Sequence, residues 1–337
     1  MKPPLGGGEK RDVELDGDLL DAAMQYGPSA GLPQIRQWLN GLQTHVHGRA
    51  PGNWAVSMGS GSQDLMSKAF HALLNPGDPI LMETPVYSGV LPTLRLLNAK
   101  MVEVDVDDQG LSATRLDEIL ANWPADQKRP RVVYSTPRKL DVLAVMKKYD
   151  LLMMEDDPYY YLTQNLIPSY FELETQVFPE GGHVVRFDSF SKLLSAGIRL
   201  GFATGPKDIL HAIDVNTAGA NLHTSALSQA VAFKLLEACS QKKYLAGLAT
   251  WVSPVAGMFL WIDMSPAGIT DSYKLIRNEA LAKGVLAVPG QAFYPSGRAS
   301  PHVRVSFSVI DLEEETPEGF RRLAEAIHDK RKELGLE

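Results

Sequence analysis

Apolar residues recur at Ile35, Leu39, Leu42 and Val46, at spacings of four, three and four, which predicts a helix with one apolar stripe over Leu32 to Val46. Short apolar runs then alternate with helical patterns. The runs predict strands at Trp54 to Met58, Ile80 to Met82, Lys100 to Val104, Arg131 to Tyr134, Leu151 to Met154, Val184 to Phe187 and Leu200 to Ala203. Helices are predicted at Asp64 to Leu74, Leu116 to Leu120 and Leu140 to Tyr149. This alternation implies an α/β domain with a mostly parallel sheet covered by helices on both faces. Ligands of such sheets bind beyond the carboxyl ends of the strands, so polar clusters that follow strands are candidates for one shared site.

Beyond residue 240 the pattern changes. Gly257 to Ile262 and His302 to Phe307 read as strands, Tyr273 to Ala282 as a helix, Val285 as a short strand, and the chain closes on an amphipathic helix. This is the signature of a smaller α+β domain. At 337 residues the chain exceeds what one core usually supports, so two domains are expected, 17–240 and 241–337, after a glycine-bearing stretch over 1–16.

Composition narrows the partner. Hydrophobic residues make up 45% of the chain, enough for a sizeable core. The net charge of -7 comes from acidic and basic residues mixed along the chain, which argues against nucleic acid or a membrane surface and for a small molecule. Cys239 is the only cysteine, which excludes an internal disulfide and suits a reducing compartment; the cytoplasm is the expected location. No apolar run approaches a bilayer span, and Met1 to Gly8 lacks the apolar stretch of a secretory signal. No metal site is expected, because the eight histidines show no ligand spacing. Walker, His-Glu-x-x-His and Gly-x-Ser-x-Gly motifs are absent from the sequence.

The chemistry concentrates in Arg186-Phe-Asp-Ser-Phe-Ser-Lys192-Leu-Leu-Ser-Ala-Gly-Ile-Arg199. The Lys192 amine can form a Schiff base with the aldehyde of pyridoxal phosphate, while Ser189, Ser191 and Arg199 offer donors to its phosphate dianion. A polar turn with a solvated lysine would also fit these residues taken alone. Ser62 and Gln63, in Ser60-Gly-Ser-Gln63, precede a helix whose free amides attract phosphate, though Gly-Ser turns are also routine helix caps.

Glu155-Asp-Asp-Pro-Tyr-Tyr160 follows a strand. Asp157 could face a pyridine nitrogen and keep it protonated, and Tyr160 could donate to a phenolic oxygen; an acidic Asp-Pro turn is the plain alternative. Tyr87 could stack on a flat ring or lie in a core. Arg304, between valines in His302-Val-Arg-Val-Ser-Phe307, requires an anionic partner if buried, either a substrate carboxylate or an internal acid.

Taken in order, Met24-Gln-Tyr-Gly-Pro-Ser-Ala-Gly-Leu-Pro33, Gly59 to Gln63, Glu83-Thr-Pro-Val-Tyr-Ser-Gly89, Glu155 to Tyr160, the lysine segment, Ala256 to Trp261, Pro289-Gly-Gln-Ala-Phe-Tyr294 and Val303 to Ser308 resemble a fold-type I, class I/II aminotransferase, in particular the kynurenine/2-aminoadipate and fungal aromatic amino acid group. The resemblance implies a fold-type I pyridoxal-phosphate transferase. Lys192 would be its Schiff-base and proton-transfer lysine, Asp157 the partner of the ring nitrogen, Tyr160 the contact to the phenolic oxygen and Tyr87 the stacking ring. Ser62, Gln63, Ser189, Ser191 and Arg199 would form the phosphate cup and Arg304 the substrate carboxylate clamp. Tyr26 would reach the phosphate of a neighbouring subunit, so a homodimer follows. The substrates implied are an aromatic amino acid, kynurenine or 2-aminoadipate, with 2-oxoglutarate as acceptor.

Departures from the family accompany the matches. Its Asn-Pro-x-Gly turn is missing, since Ser135-Thr-Pro137 runs straight into Arg138-Lys-Leu-Asp-Val-Leu143. A helix joining the domains is lost near Cys239 to Lys243, and residues 1–16 are only a residue of the amino-terminal arm. An internally deleted, catalytically impaired aminotransferase-like protein is therefore one alternative. A transcription regulator carrying an aminotransferase-like domain is another, disfavoured because nothing before residue 24 is long or basic enough for a DNA-binding module.

Overall fold

The computed structural model of the chain describes residues 15, 17–108, 110–136, 140–162, 167–240, 259–264 and 269–306, with 322, 325, 326, 329, 330 and 332–335 near the carboxyl end. It divides into two compact units, Met1–Glu83 with Gly89–Val252, and Thr84–Ser88 with Ser253–Glu337.

The first unit opens with α1 (Gly17–Ala23) and α2 (Pro33–His47) and continues through β1 (Trp54–Gly59), α3 (Ser62–Leu73), β2 (Pro79–Thr84), α4 (Leu91–Leu96), β3 (Lys100–Asp107), β4 (Gly110–Leu111), α5 (Ala113–Ala121), β5 (Val132–Ser135), α6 (Leu140–Tyr149), β6 (Leu152–Asp156), α7 (Tyr170–Val177), β7 (Val184–Ser189), α8 (Phe190–Leu193), β8 (Gly201–Pro206), α9 (Lys207–Asn221) and α10 (Ala226–Ser240). The seven strand-like runs read from the sequence before residue 210 each fall on a strand, with Arg131, Leu151 and Leu200 one residue ahead of theirs. The two-residue β4 and helices α1, α4, α7, α8, α9 and α10 were not anticipated.

Eight strands form one sheet in the order β1-β8-β7-β6-β5-β2-β3-β4. The centre, β2-β5-β6-β7, is parallel, whereas β8 runs antiparallel to both β7 and β1. Side chains alternate across a strand, so the register sorts the sheet into two faces. Val133, Met153, Val184 and Phe202 pack with Ile35 and Leu39 of α2 and Phe171 of α7 in one core cluster. On the opposite face α3 and α9 lie against β7, β8 and β1, and Phe70 of α3 meets the Tyr134 ring at 6.3 Å. Both faces are covered, which is why the central strands β2, β5 and β7 are buried along their whole length. Helix starts follow local chemistry: Ser112 Oγ accepts the Arg115 amide at 3.2 Å and Ser169 Oγ the Glu172 amide at 3.0 Å.

The second unit holds a three-stranded antiparallel sheet in the order β10 (Val288–Pro289), β11 (His302–Ser306), β9 (Phe259–Asp263). Its core gathers Met264, Ile269, Leu275, Ile276 and Val303. A short helix, α11 (Ser272–Leu275), continues as a wider π turn over Ile276–Ala280 in the region predicted helical. The strand expected at Val285 falls instead at Val288–Pro289. Pro289 lacks an amide, so pairing stops there and the strand stays two residues long. The Pro137–Arg138 junction, the segment from 241 to 258 and most of the closing helix lie outside the described residues. Among the described residues no helix is long and apolar enough to cross a membrane.

Candidate active site

Strand parity decides which acids of Glu155-Asp156-Asp157 look where. Glu155 pairs with Arg186 and Asp156 with Phe187, while Tyr134 pairs with Met154 two residues before Asp156. Asp156, Tyr134 and Phe187 therefore share the face covered by α3, and Glu155 and Arg186 share the other. The Tyr134 hydroxyl donates to Asp156 Oδ2 at 2.6 Å, with both residues buried. Asp156 Oδ1 is buried and has no hydrogen-bond partner among the described residues. Burial above all pushes the Asp156 carboxyl up to about 7; the Tyr134 hydrogen bond opposes this, Asp157 and Glu83 add to it, and Arg186 opposes it. Glu83, at the end of β2, is likewise pushed up to about 7 by burial, while accepting hydrogen bonds from Ser135 Oγ at 2.8 Å and from the Thr136 hydroxyl.

The opposite face carries an internal ion network. Arg186 is fully buried, pairs with Glu155 at 3.1 Å, grips Asp188 through two nitrogens at 2.9 and 3.0 Å, and donates to the Asp157 carbonyl at 3.3 Å. Glu155 in turn accepts the Tyr170 and Phe171 amides at 2.9 and 3.1 Å. The guanidinium lies 4.4 Å from the centre of the Tyr160 ring, whose other neighbours are His47 at 4.8 Å and Tyr161 at 5.3 Å. Tyr160, expected at a cofactor oxygen, is thus 1% exposed within this network, because the turn after β6 directs its ring back beneath the sheet. Tyr159 takes the other direction. The Lys192 ammonium lies 5.8 Å from the Tyr159 ring centre.

A third group forms where β1 leads into α3. Arg199, in a left-handed conformation (φ 52), donates to the Ser60 carbonyl and to Ser191 Oγ, each at 3.2 Å. Ser189 Oγ accepts the Ser191 amide at 3.2 Å and so starts α8, which carries Lys192. No side chain caps the amino end of α3, so its amides and dipole face Ser60-Gly-Ser62. Two glycines make this closeness possible. Gly61 has φ 109, and a Cβ at Gly201 would stand 2.5 Å from the Ser62 amide nitrogen.

The first unit thus brings Ser62, Ser189, Ser191, Lys192 and Arg199 near one end of its sheet, with the Asp156 to Tyr159 turn beside Lys192. Gln63 Nε2 donates to the Gly89 carbonyl at 2.7 Å while its Oε1 is buried without a partner among the described residues. Tyr26 is 86% exposed with its ring 6.1 Å from that of His223. Two expected residues belong to the second unit. Tyr87 follows Val86, whose amide donates to the Phe293 carbonyl at 2.7 Å, and is partly exposed; Arg304 lies on β11 with its guanidinium 4.7 Å from the Phe293 ring centre. From the sequence alone Asp156, Tyr159, Tyr134 and Glu83 have no role of their own. The alternation in Met153-Met-Glu-Asp156 was visible, but the face met by α3 was not.

Residues 20–249 match the family described as aminotransferase class I and II. Aminotransferase tdiD of Emericella nidulans is 36% identical over 364 residues, covering 95% of this chain and 83% of that protein. The mitochondrial kynurenine/alpha-aminoadipate aminotransferase of Bos taurus is 33% identical, covering 95% of this chain and 86% of that protein. Among solved structures, a Pyrococcus horikoshii kynurenine aminotransferase in complex with PMP shares 27% identity and a TM-score of 0.83 over 93% of this chain and 84% of that one. The chain belongs to the class I and II aminotransferase family, and its fold is that of the fold-type I pyridoxal-phosphate aminotransferases.

Proposed function

We propose that the chain catalyses transamination of an aromatic amino acid, kynurenine or 2-aminoadipate, with 2-oxoglutarate as acceptor and pyridoxal phosphate as cofactor. The observation that carries this reading is the orphaned Asp156 Oδ1, a buried acceptor at the end of β6 beside the turn that meets Lys192. It suits the N–H of a protonated heterocycle, and an uncapped helix with Arg199 and Ser191 suits a phosphate. Bound pyridoxal phosphate would supply an aldehyde and an electron-accepting ring.

The chain's own residues then have separate tasks. Asp156, the neighbour of the expected Asp157, holds the ring nitrogen's proton, and Tyr159, the neighbour of Tyr160, is the tyrosine available beside Lys192. Ser62, Gln63, Ser189, Ser191 and Arg199 orient the phosphate. Lys192 would hold the cofactor through its amine and would move a proton at the substrate Cα. Tyr87 stacks on the ring, Arg304 holds the substrate carboxylate, and Tyr26, largely exposed, serves the second subunit of a homodimer. The proposed domain division is 17–240 and 241–337, and the proposed compartment is the cytoplasm, on the single Cys239. A panel of amino donors with 2-oxoglutarate, read as glutamate formed, tests the assignment; no turnover with any aromatic donor, kynurenine or 2-aminoadipate would overturn it.

A second reading, an internally deleted enzyme of reduced activity, rests on a specific observation. The match to the Emericella relative runs over 364 residues, more than the 337 of this chain, so that relative carries internal residues this chain lacks. Insertion of an Asn-Pro-x-Gly turn after Pro137 should then raise cofactor affinity and turnover together. Turnover by the unaltered chain equal to that of an intact relative would remove this reading.

A further inference from the structure

We propose that Tyr134 is a positioning residue for Asp156, holding Oδ2 with its phenol so that Oδ1 alone is left to the ring nitrogen of a bound heteroaromatic cofactor. This rests on the assignment of Asp156 given above. The phenol and the carboxylate belong to adjacent parallel strands, on one face of the sheet, and meet at 2.6 Å, the distance of a charge-assisted O–H to carboxylate bond. Tyr134 is fully buried with Phe70 of α3 against its ring, so its hydroxyl is delivered from a fixed direction. The next two residues of the strand end, Ser135 and Thr136, turn their hydroxyls to Glu83 instead, which leaves Tyr134 as the donor from β5 to Asp156.

The charges around Asp156 explain why such a donor matters. Glu83 from β2 and Asp157 from its own turn disfavour its ionised form, Arg186 from β7 favours it, and burial disfavours it most of all. A ring N–H needs an ionised acceptor. The phenol favours that state and fixes which oxygen remains available.

The test uses the full chain, with the Asp156 carboxyl carbon followed by NMR in the cofactor-free protein and pyridoxal phosphate affinity measured by equilibrium dialysis at neutral pH. Tyr134→Phe should raise the titration midpoint of Asp156 by about one pH unit and weaken cofactor binding about tenfold, the scale of one hydrogen bond to a charged group. Fluorotyrosine at position 134, a stronger donor with the same packing, should move the midpoint the other way and serves if the phenylalanine variant does not fold. Phe70→Leu should lower the unfolding temperature and shift neither reading; the same shifts in Phe70→Leu would reduce the effect to packing and overturn the proposal. In an Asp156→Asn background Tyr134→Phe should cost no further affinity. Wild-type titration and affinity in Tyr134→Phe, with weakened binding in Asp156→Asn, would overturn the positioning role alone. Undiminished affinity in Asp156→Asn would overturn the assignment of Asp156 itself, and this proposal with it.

Discussion

Lys68 and Asp64 stand one turn apart on α3, with Nζ 2.9 Å from Oδ2 and the lysine buried. The same Oδ2 accepts the Ser60 amide at 2.9 Å. Asp64 thereby closes the loop that leads into α3, and its negative charge sits in the first turn, beside the amides proposed to hold a phosphate. Lys68 offsets that charge.

Lys68→Met should therefore leave Asp64 repelling the phosphate and weaken pyridoxal phosphate binding by about tenfold, more at low salt than at high. Adding Asp64→Asn should recover much of the loss. Titration calorimetry at two ionic strengths checks this, and equal affinity in Lys68→Met and wild type would contradict it.

Glu83 gives a pH signature. Its folded carboxyl is raised from 4.5 to about 7, so it binds its proton more tightly folded than unfolded; the stability it contributes is present below the unfolded value and is lost as pH rises through about 7. Glu83→Gln should accordingly stabilise the cofactor-free chain by about 1–3 kcal/mol at pH ~8 and by little at pH ~5. Denaturant midpoints at the two pH values read the difference. An equal effect at both would show that Glu83 does not titrate in the folded state.

Backbone proximity at the phosphate loop predicts opposite outcomes for two glycines. A Cβ at Gly201 would meet the Ser62 nitrogen at 2.5 Å and the Gly61 carbonyl carbon at 2.6 Å, whereas one at Gly219, within α9, would meet nothing within 4 Å. Gly201→Ala should cost about 1–3 kcal/mol and lower cofactor affinity. Gly219→Ala should stabilise by about 0.5–1 kcal/mol with affinity unchanged. Thermal unfolding together with cofactor titration separates the two.

Lys192→Ala should abolish transamination with an unfolding midpoint close to that of the wild type, because the side chain is only partly buried, on the short helix α8. Arg304→Ala should instead raise KM for the amino acid and spare cofactor binding. Turnover by the lysine variant equal to the wild type would end the aminotransferase assignment for this chain.

By itself the sequence determined the run of elements and the chemistry of the lysine segment. Apolar runs such as Val184 to Phe187, and the helical spacing of Ile35, Leu39, Leu42 and Val46, are set by local geometry, with a period of two or of 3.6, and need no knowledge of partners. Ser189, Ser191, Lys192 and Arg199 lie close in the chain and stay close in space, so their grouping could be read directly. Tertiary structure alone decided that β8 runs antiparallel between β1 and β7, that Asp156 meets the Tyr134 hydroxyl, and that Tyr159 lies beside Lys192 while the Tyr160 ring lies against Arg186. Alternation says only that neighbours in Glu155-Asp156-Asp157 face opposite ways. Which way meets α3 depends on pairing with Tyr134 and Phe187, contacts between strands distant in the chain, and on the buried charge of Arg186, which draws Glu155 and the Tyr160 ring to the far face.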